Sequence, residues 1–208
     1  MADQPEHLIT TLDQLRARIG TASPLVDSKF FTALEPVMVD FIRRSPFFLI
    51  ATIDPLGRPD VSPKGDAPGF VLIDDDGTLV IPERKGNKLA FGLRNLIQHP
   101  NVGLIFVVPG MEETLRVNGT AQITTDPVML DRLAARGEPA ILAVRVTVER
   151  CFFHCAKAFK RSKLWEAATW PPPVRISFAN MVAPKLGWTA EVVADVDRMV
   201  EEDYRTNL

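Results

Sequence analysis

The chain has 208 residues, a formal net charge of −2, and 46% apolar and 24% charged residues. That suffices for one domain with a full core, and it leaves no global field to draw in nucleic acid or an anionic membrane. Only two cysteines occur and no run approaches the roughly 20 apolar residues of a membrane span, so neither a disulfide framework nor a spanning helix is expected.

The start, MADQPEHLITTLDQLRARIG, lacks the basic-then-apolar order of a secretory signal, and a reducing cytoplasm is the expected location. Leu8, Leu12, Leu15 and Ile19 recur at helical spacing before Gly20. A second helix is predicted from Asp27 as N-cap through Phe30, Phe31, Leu34, Val37, Met38 and Phe41, with a kink or break at Pro36.

From Phe47 the pattern becomes extended. Phe47 to Ile53 and Pro59 to Pro63 flank the turn signal Asp54-Pro55-Leu56-Gly57 and predict a hairpin. Gly69 to Ile73 and Thr78 to Ile81 flank Asp74-Asp75-Asp76-Gly77, a solvated turn, and predict a second. Val102 to Val108, Thr114 to Thr124 and Ala140 to Val148 supply further strands, with Cys151 to Cys155 as an extension of the last. Helices are predicted at 87–98 and about 126–135. Pro171-Pro172-Pro173 marks a stiff linker before a terminal helix from Thr189 to Arg205. A continuous β-region bracketed by helices predicts an α+β, mainly β chain built on a closed antiparallel barrel. The expected division is a helical leader over 1–45, a barrel over 46–166, and a linker with terminal helix over 167–208.

The chemistry-bearing stretch is Ile81 to Lys88, IPERKGNK. Arg84, Lys85 and Lys88 surround Gly86 and Asn87 between a strand and a helix. A glycine lets backbone approach a ligand, and the first N–H groups of a helix are free, so cations placed there suit a phosphate. The alternative is a basic surface turn.

FFLIATIDPLGRPDVSPKGD, TLVIPERKGNKLAFGLRNLIQHPNVGLIF, TLRVNGTAQI and FFHCAKAFKRSKLW together resemble the pyridoxamine 5′-phosphate oxidase-like flavoproteins, and more closely a bacterial FMN-dependent branch. The resemblance covers roughly residues 45 to 166. It implies a six-stranded split barrel that forms a homodimer, with FMN in a cleft between subunits and a small-molecule substrate or nicotinamide as partner. It implies that Arg84, Lys85, Gly86, Asn87 and Lys88 hold the FMN phosphate, and that Ser62 and Lys64 lie beside the ring and phosphate. Arg116 and Asn118, on one face of their strand, are implied at the pyrimidine end of the ring. Lys157, Arg161, Ser162 and Trp165 resemble the element that reaches the flavin across the interface, and core or interface packing is the competing role for Trp165. Two departures bear on substrate. The family's C-terminal Arg-x-His pair has no counterpart after Trp165, where Arg175 lacks a following histidine, and the phosphate bend lacks the Ser-Arg-Lys order. The resemblance therefore supports FMN binding better than it supports pyridoxamine phosphate as the substrate.

The expected function is an FMN-dependent oxidoreductase with substrate unknown and no identified catalytic side chain. The alternative is a split-barrel protein that holds flavin or haem without turnover. Cys151, His154 and Cys155 do not suggest a metal site: on a strand the cysteine Cα atoms stand about 13 Å apart, and His154 points to the opposite face. The four cations between Lys157 and Lys163 lack the interleaved aromatics of a nucleic-acid surface.

Overall fold

A computed structural model of the protein describes residues 7–86 and 88–207. The leader begins with α1 (Leu12–Ile19), closed by a capping box in which Thr11 and Gln14 satisfy each other's backbone N–H groups. Its apolar stripe meets no core: Leu12 and Ile19 stay exposed. The predicted second helix is corrected in two ways. Asp27 ends rather than begins a single turn, α2 (Pro24–Asp27), which Ser23 caps. The chain then leaves helix so that Phe31 exchanges backbone hydrogen bonds with Cys151. Helix resumes as α3 (Pro36–Arg44), where Pro36 stands in the first turn and its missing N–H costs nothing. Met38, Phe41 and Ile42 of α3 are buried against the sheet.

Among the described residues, seven strands form one antiparallel sheet: β1 (Phe47–Ile53), β2 (Pro59–Gly65), β3 (Leu72–Ile73), β4 (Leu79–Glu83), β5 (Asn101–Val107), β6 (Thr114–Thr124) and β7 (Leu142–His154). Their order is β2-β1-β5-β6-β7-β4-β3. The six-stranded closed barrel is therefore corrected to an open seven-stranded sheet. β2 and β4 share no backbone ladder. Each carries prolines, Pro59 and Pro63 on β2 and Pro82 on β4, which have no N–H to give along an edge. Side chains span the gap instead. Lys64 of β2 pairs with Glu83 of β4, Asp66 pairs with Arg84, and Phe70 stacks on Phe48 with ring centroids 5.7 Å apart. The sheet thus curls until its second-last strand faces its first.

Alternation assigns the two faces. Phe48, Ile50, Leu104, Phe106, Leu115, Val117 and Val146 point inward and form the core. Between Asn118 and Gly119 the β6–β7 register slips by a bulge, with Glu149 as the extra residue. A Cβ at Gly119 would stand 1.9 Å from the Thr147 carbonyl oxygen, so only glycine fits there. The inserted helices are α4 (Phe91–Gln98), shorter than the predicted 87–98, and α5 (Pro127–Arg132), which Asp126 caps. β7 stops at His154 and leaves Cys155 exposed beyond it.

After β7 come α6 (Lys157–Ser162), a 3-10 turn at Ala167–Thr169, α7 (Phe178–Leu186) and α8 (Ala190–Thr206). The terminal helix matches its prediction within one residue. α7 did not stand out in the sequence because Pro184 lies inside it. α7 and α8 pack on one another, tied by the Ser177 hydroxyl donating to Asp197 at 2.8 Å. No helix among the described residues is long and apolar enough to cross a membrane.

Candidate functional site

The cationic bend leaves β4 at Glu83 and enters α4 at Phe91. Asn87 lies outside the described residues. Lys88 (φ 61°) and Ala90 (φ 51°) both take the left-handed region, a strain of order 1–3 kcal/mol each for residues with a Cβ. Ala90 occupies the N-cap and has no side chain to accept a hydrogen bond. The first N–H groups of α4, at Phe91, Gly92 and Leu93, therefore have neither an intrahelical acceptor nor a cap.

Phe91, Gly92 and Leu93 line a cleft of about 290 Å³ between β2, β4 and α4. Ser62 and Lys64 line one wall, Glu83 and Ala90 to Leu93 the other, and Ile50, Ile81 and Leu96 the floor. The register explains the convergence. Ser62 pairs with Ile50 and Lys64 with Phe48, so both face the interior side of β2. Two carboxylates already engage them. The Ser62 hydroxyl donates to Asp60 Oδ2 at 3.3 Å, and Lys64 holds Glu83. Asp60 Oδ2 also lies 3.8 Å from where a Cβ would stand on Gly92, so this carboxylate sits beside the start of α4.

Arg84 and Lys85 diverge from this cleft. They line a separate cavity of about 410 Å³ with Arg136, Glu138 and the end of α8. Arg84 is committed to the fold. Its Nε donates to Asp66 Oδ2 at 3.0 Å and its Nη1 to the Leu133 carbonyl at 2.8 Å. Asp66 is nearly buried and also faces Arg136 at 3.6 Å. Burial alone would raise its pKa. The Ala67 N–H and the two guanidinium groups outweigh burial and hold the carboxyl below its ordinary range. Of the five residues placed at the phosphate by resemblance, the structure thus directs Arg84 inward to Asp66 and leaves Lys85, Gly86 and Lys88 exposed.

Arg116 and Asn118 lie on the opposite, outer face of the sheet. Each alternates with the buried Leu115 and Val117. The Arg116 guanidinium rests over the Phe152 ring at 5.2 Å. Neither residue lines its own chain's cleft. The α6 segment also stays outside it. Trp165 Nε1 donates to the Met111 carbonyl at 2.7 Å, and the Trp165 ring stacks on Phe159 with centroids 5.7 Å apart. Ser162 donates to the Phe159 carbonyl at 3.1 Å, while Lys157 and Arg161 are exposed. Lys160 pairs with Glu112, whose hydrogen bond and charge raise the lysine pKa. Cys151 is buried and donates to the Ala33 carbonyl at 3.2 Å; burial, then Glu35, pushes its thiol pKa up.

The site residues that sequence reasoning missed are Asp60, Glu83 and the Ala90–Leu93 turn. Their one signal was position: Asp60 and Glu83 end runs that pair with, or face, the predicted site residues. That signal has meaning only once β2 and β4 are known to approach.

The family model described as "Pyridoxamine 5′-phosphate oxidase" matches residues 34–155. No curated protein sequence matches the chain. Among solved structures, the chain is similar to a putative pyridoxamine 5′-phosphate oxidase from Lactobacillus delbrueckii, with 24% identity over 59% of this chain and 95% of that one, TM-score 0.46. It is similar to HupZ of Group A Streptococcus, with 22% identity over 58% of this chain and 93% of that one, TM-score 0.47. An F420 reductase aligns with 22% identity over 55% of this chain and 94% of that one, TM-score 0.40.

Proposed function

The chain belongs to the pyridoxamine 5′-phosphate oxidase family, and from that premise we propose that it is an FMN-dependent oxidoreductase acting as a homodimer. The observation that carries this reading is the convergence of Ser62, Lys64 and the uncapped N–H groups of α4 on one cleft. A phosphate dianion wants several N–H donors and a cation, and this is such a donor set. Lys88, exposed on the bend above, supplies a second cation. Flavin, when bound, supplies the hydride and electron chemistry.

The chain's residues bind and orient. Lys64 exchanges Glu83 for the phosphate, or bridges both. Ser62 donates to the ribityl chain or ring edge. Ile50, Ile81 and Leu96 keep water from the floor of the cleft.

A second copy completes the site. The outer face of the sheet carries Leu49 and Ala51 on β1, Ile105 on β5 and the exposed Val61 on β2. Register brings them together, since Leu49 pairs with Ile105 and Ala51 with Val61. Such a contiguous apolar strip is a contact surface. Arg116 and Asn118 flank it, so a flavin in one copy's cleft is within reach of these two only from the other copy.

The test is FMN titration of flavin-free protein, followed by quenching of flavin fluorescence. Binding at one FMN per chain is expected. Lys64→Ala with Lys88→Ala is expected to weaken it at least about tenfold, or about 1.4 kcal/mol. Unchanged affinity in that variant removes the phosphate assignment.

A further inference from the structure

On the outer face, three cations crowd two phenylalanine rings. Phe30 packs edge-on against Phe152 at 4.9 Å, held there by the Phe31–Cys151 bridge. Lys29 Nζ stands 5.5 Å from the Phe30 centroid and 4.9 Å from that of Phe152. Arg116 lies over Phe152 at 5.2 Å and Arg150 over Phe30 at 5.6 Å. Among the described residues, no carboxylate forms an ion pair with any of the three. Lys29 and Arg116 share one ring, which places their charges within about a Debye length, roughly 8–10 Å at physiological salt. Ring faces offset part of that repulsion, but each contact at a partly exposed site contributes only about 0.5–1 kcal/mol.

A second feature points the same way. Arg150 donates to Asn118 Oδ1 at 3.5 Å, which leaves the Asn118 amide N–H groups free to donate. Beside that amide the β5 strand has Gly103, where a Cβ would come within 3.3 Å of Asn118 Nδ2. A mid-strand glycine costs backbone entropy, and here its missing Cβ leaves the room that the Asn118 amide occupies. Three cations and an amide, with the 40% exposed Phe30 ring at the rim, make a receptor for negative charge on a flat body.

We infer that Lys29, Arg116 and Arg150 form a binding site for a small organic anion, a carboxylate or phosphate ester, seated against Phe30 and Phe152. This deepens the flavoenzyme reading by naming the substrate class, and it rests on that reading only for the site's place opposite a partner's flavin. Anion binding itself needs no flavin.

The experiment is calorimetric titration of flavin-free protein with inorganic phosphate and with citrate at low salt, for wild type, Lys29→Met with Arg150→Met, and Arg150→Lys. Saturable binding to wild type is expected, at least tenfold weaker in the double variant and largely kept in Arg150→Lys. Equal affinity in wild type and double variant means that the anions bind elsewhere, in the Lys64 cleft or scattered over the surface, and overturns the inference. FMN affinity is measured on the same proteins and is expected to be unchanged. If the double variant loses FMN while its phosphate and citrate affinities stay intact, the cations serve flavin alone and the inference is overturned. Wild type that takes up phosphate or citrate but no FMN retires the flavin reading and leaves the anion site standing.

Discussion

Lys64 and Glu83 form an ion pair although four strands separate β2 from β4 in the sheet. The contact shows how far the sheet curls, and it puts a carboxylate on the cation that the proposed phosphate needs. Both partners are about a quarter exposed, so the pair contributes at most about 1 kcal/mol to stability. Its effect on binding is expected to be larger than its effect on folding. Glu83→Gln should tighten FMN several-fold, because Lys64 then meets the phosphate uncontested. Fluorescence titration reads the affinity, and a weaker complex would show that Glu83 positions Lys64 rather than competes for it.

A side chain that only held the FMN phosphate, as the resemblance implies for Arg84, would be dispensable to the fold. The Asp66 and Leu133 contacts reverse that expectation. Arg84→Ala leaves a nearly buried carboxylate with only the Ala67 N–H and the more distant Arg136. It should cost about 1.5–3 kcal/mol, the range for hydrogen bonds to charged groups. Urea unfolding monitored by circular dichroism measures the loss. Stability equal to wild type would return Arg84 to the ligand.

The same pair has a pH signature. The folded-state pKa of Asp66 lies below the ordinary 3.8. Its contribution is therefore fully present above that ordinary value, and it is lost as pH falls through the lower folded value. Asp66→Asn should be destabilising at pH 7, with the gap to wild type narrowing below about pH 4, where the unfolded carboxyl takes up its proton. Denaturant midpoints at the two pH values test the sign.

Gly119 sits in the β6–β7 bulge, and no side chain has room there. Gly119→Ala drives a methyl into the Thr147 carbonyl, a backbone atom that cannot turn aside. About 3 kcal/mol or more should be lost. By comparison Gly57→Ala, in a turn with nothing within 4 Å, meets only the cost of its φ of +76°. Thermal melts of the two variants should separate them clearly.

The outer apolar strip supplies a prediction about assembly. Ala51→Glu places a charge between Val61 and Gly103 in register. On the proposed homodimer, sedimentation velocity should show a shift from dimer to monomer, with secondary structure unchanged. FMN should then bind more weakly, since each cleft loses its facing copy. A variant that stays dimeric would show that the copies meet elsewhere.

Strands β6 and β7 were legible because each alternates apolar and polar residues, and β1 and β5 because each is a short apolar run; both patterns are local. Turn chemistry marked both hairpins: Asp54 accepts from the Leu56 and Arg58 N–H groups, and Asp76 from Thr78. Caps at Thr11, Asp126 and Thr189 follow the same local logic. The family was legible too, since its motifs are runs of adjacent residues.

What the sequence by itself determined, then, is most of the strands and helices, the inward faces of the strands and the family. The tertiary structure alone decided what each charged side chain does. Arg84, Lys64 and Arg116 look alike in sequence, as cations near strand ends or within a strand. One grips Asp66, one crosses to Glu83, and one lies over Phe152 on the far face. The reason is physical. Hydrophobic alternation acts over a few residues, whereas a charge pairs with whatever the sheet order brings within a few ångströms, and that order is set by the packing of the whole chain.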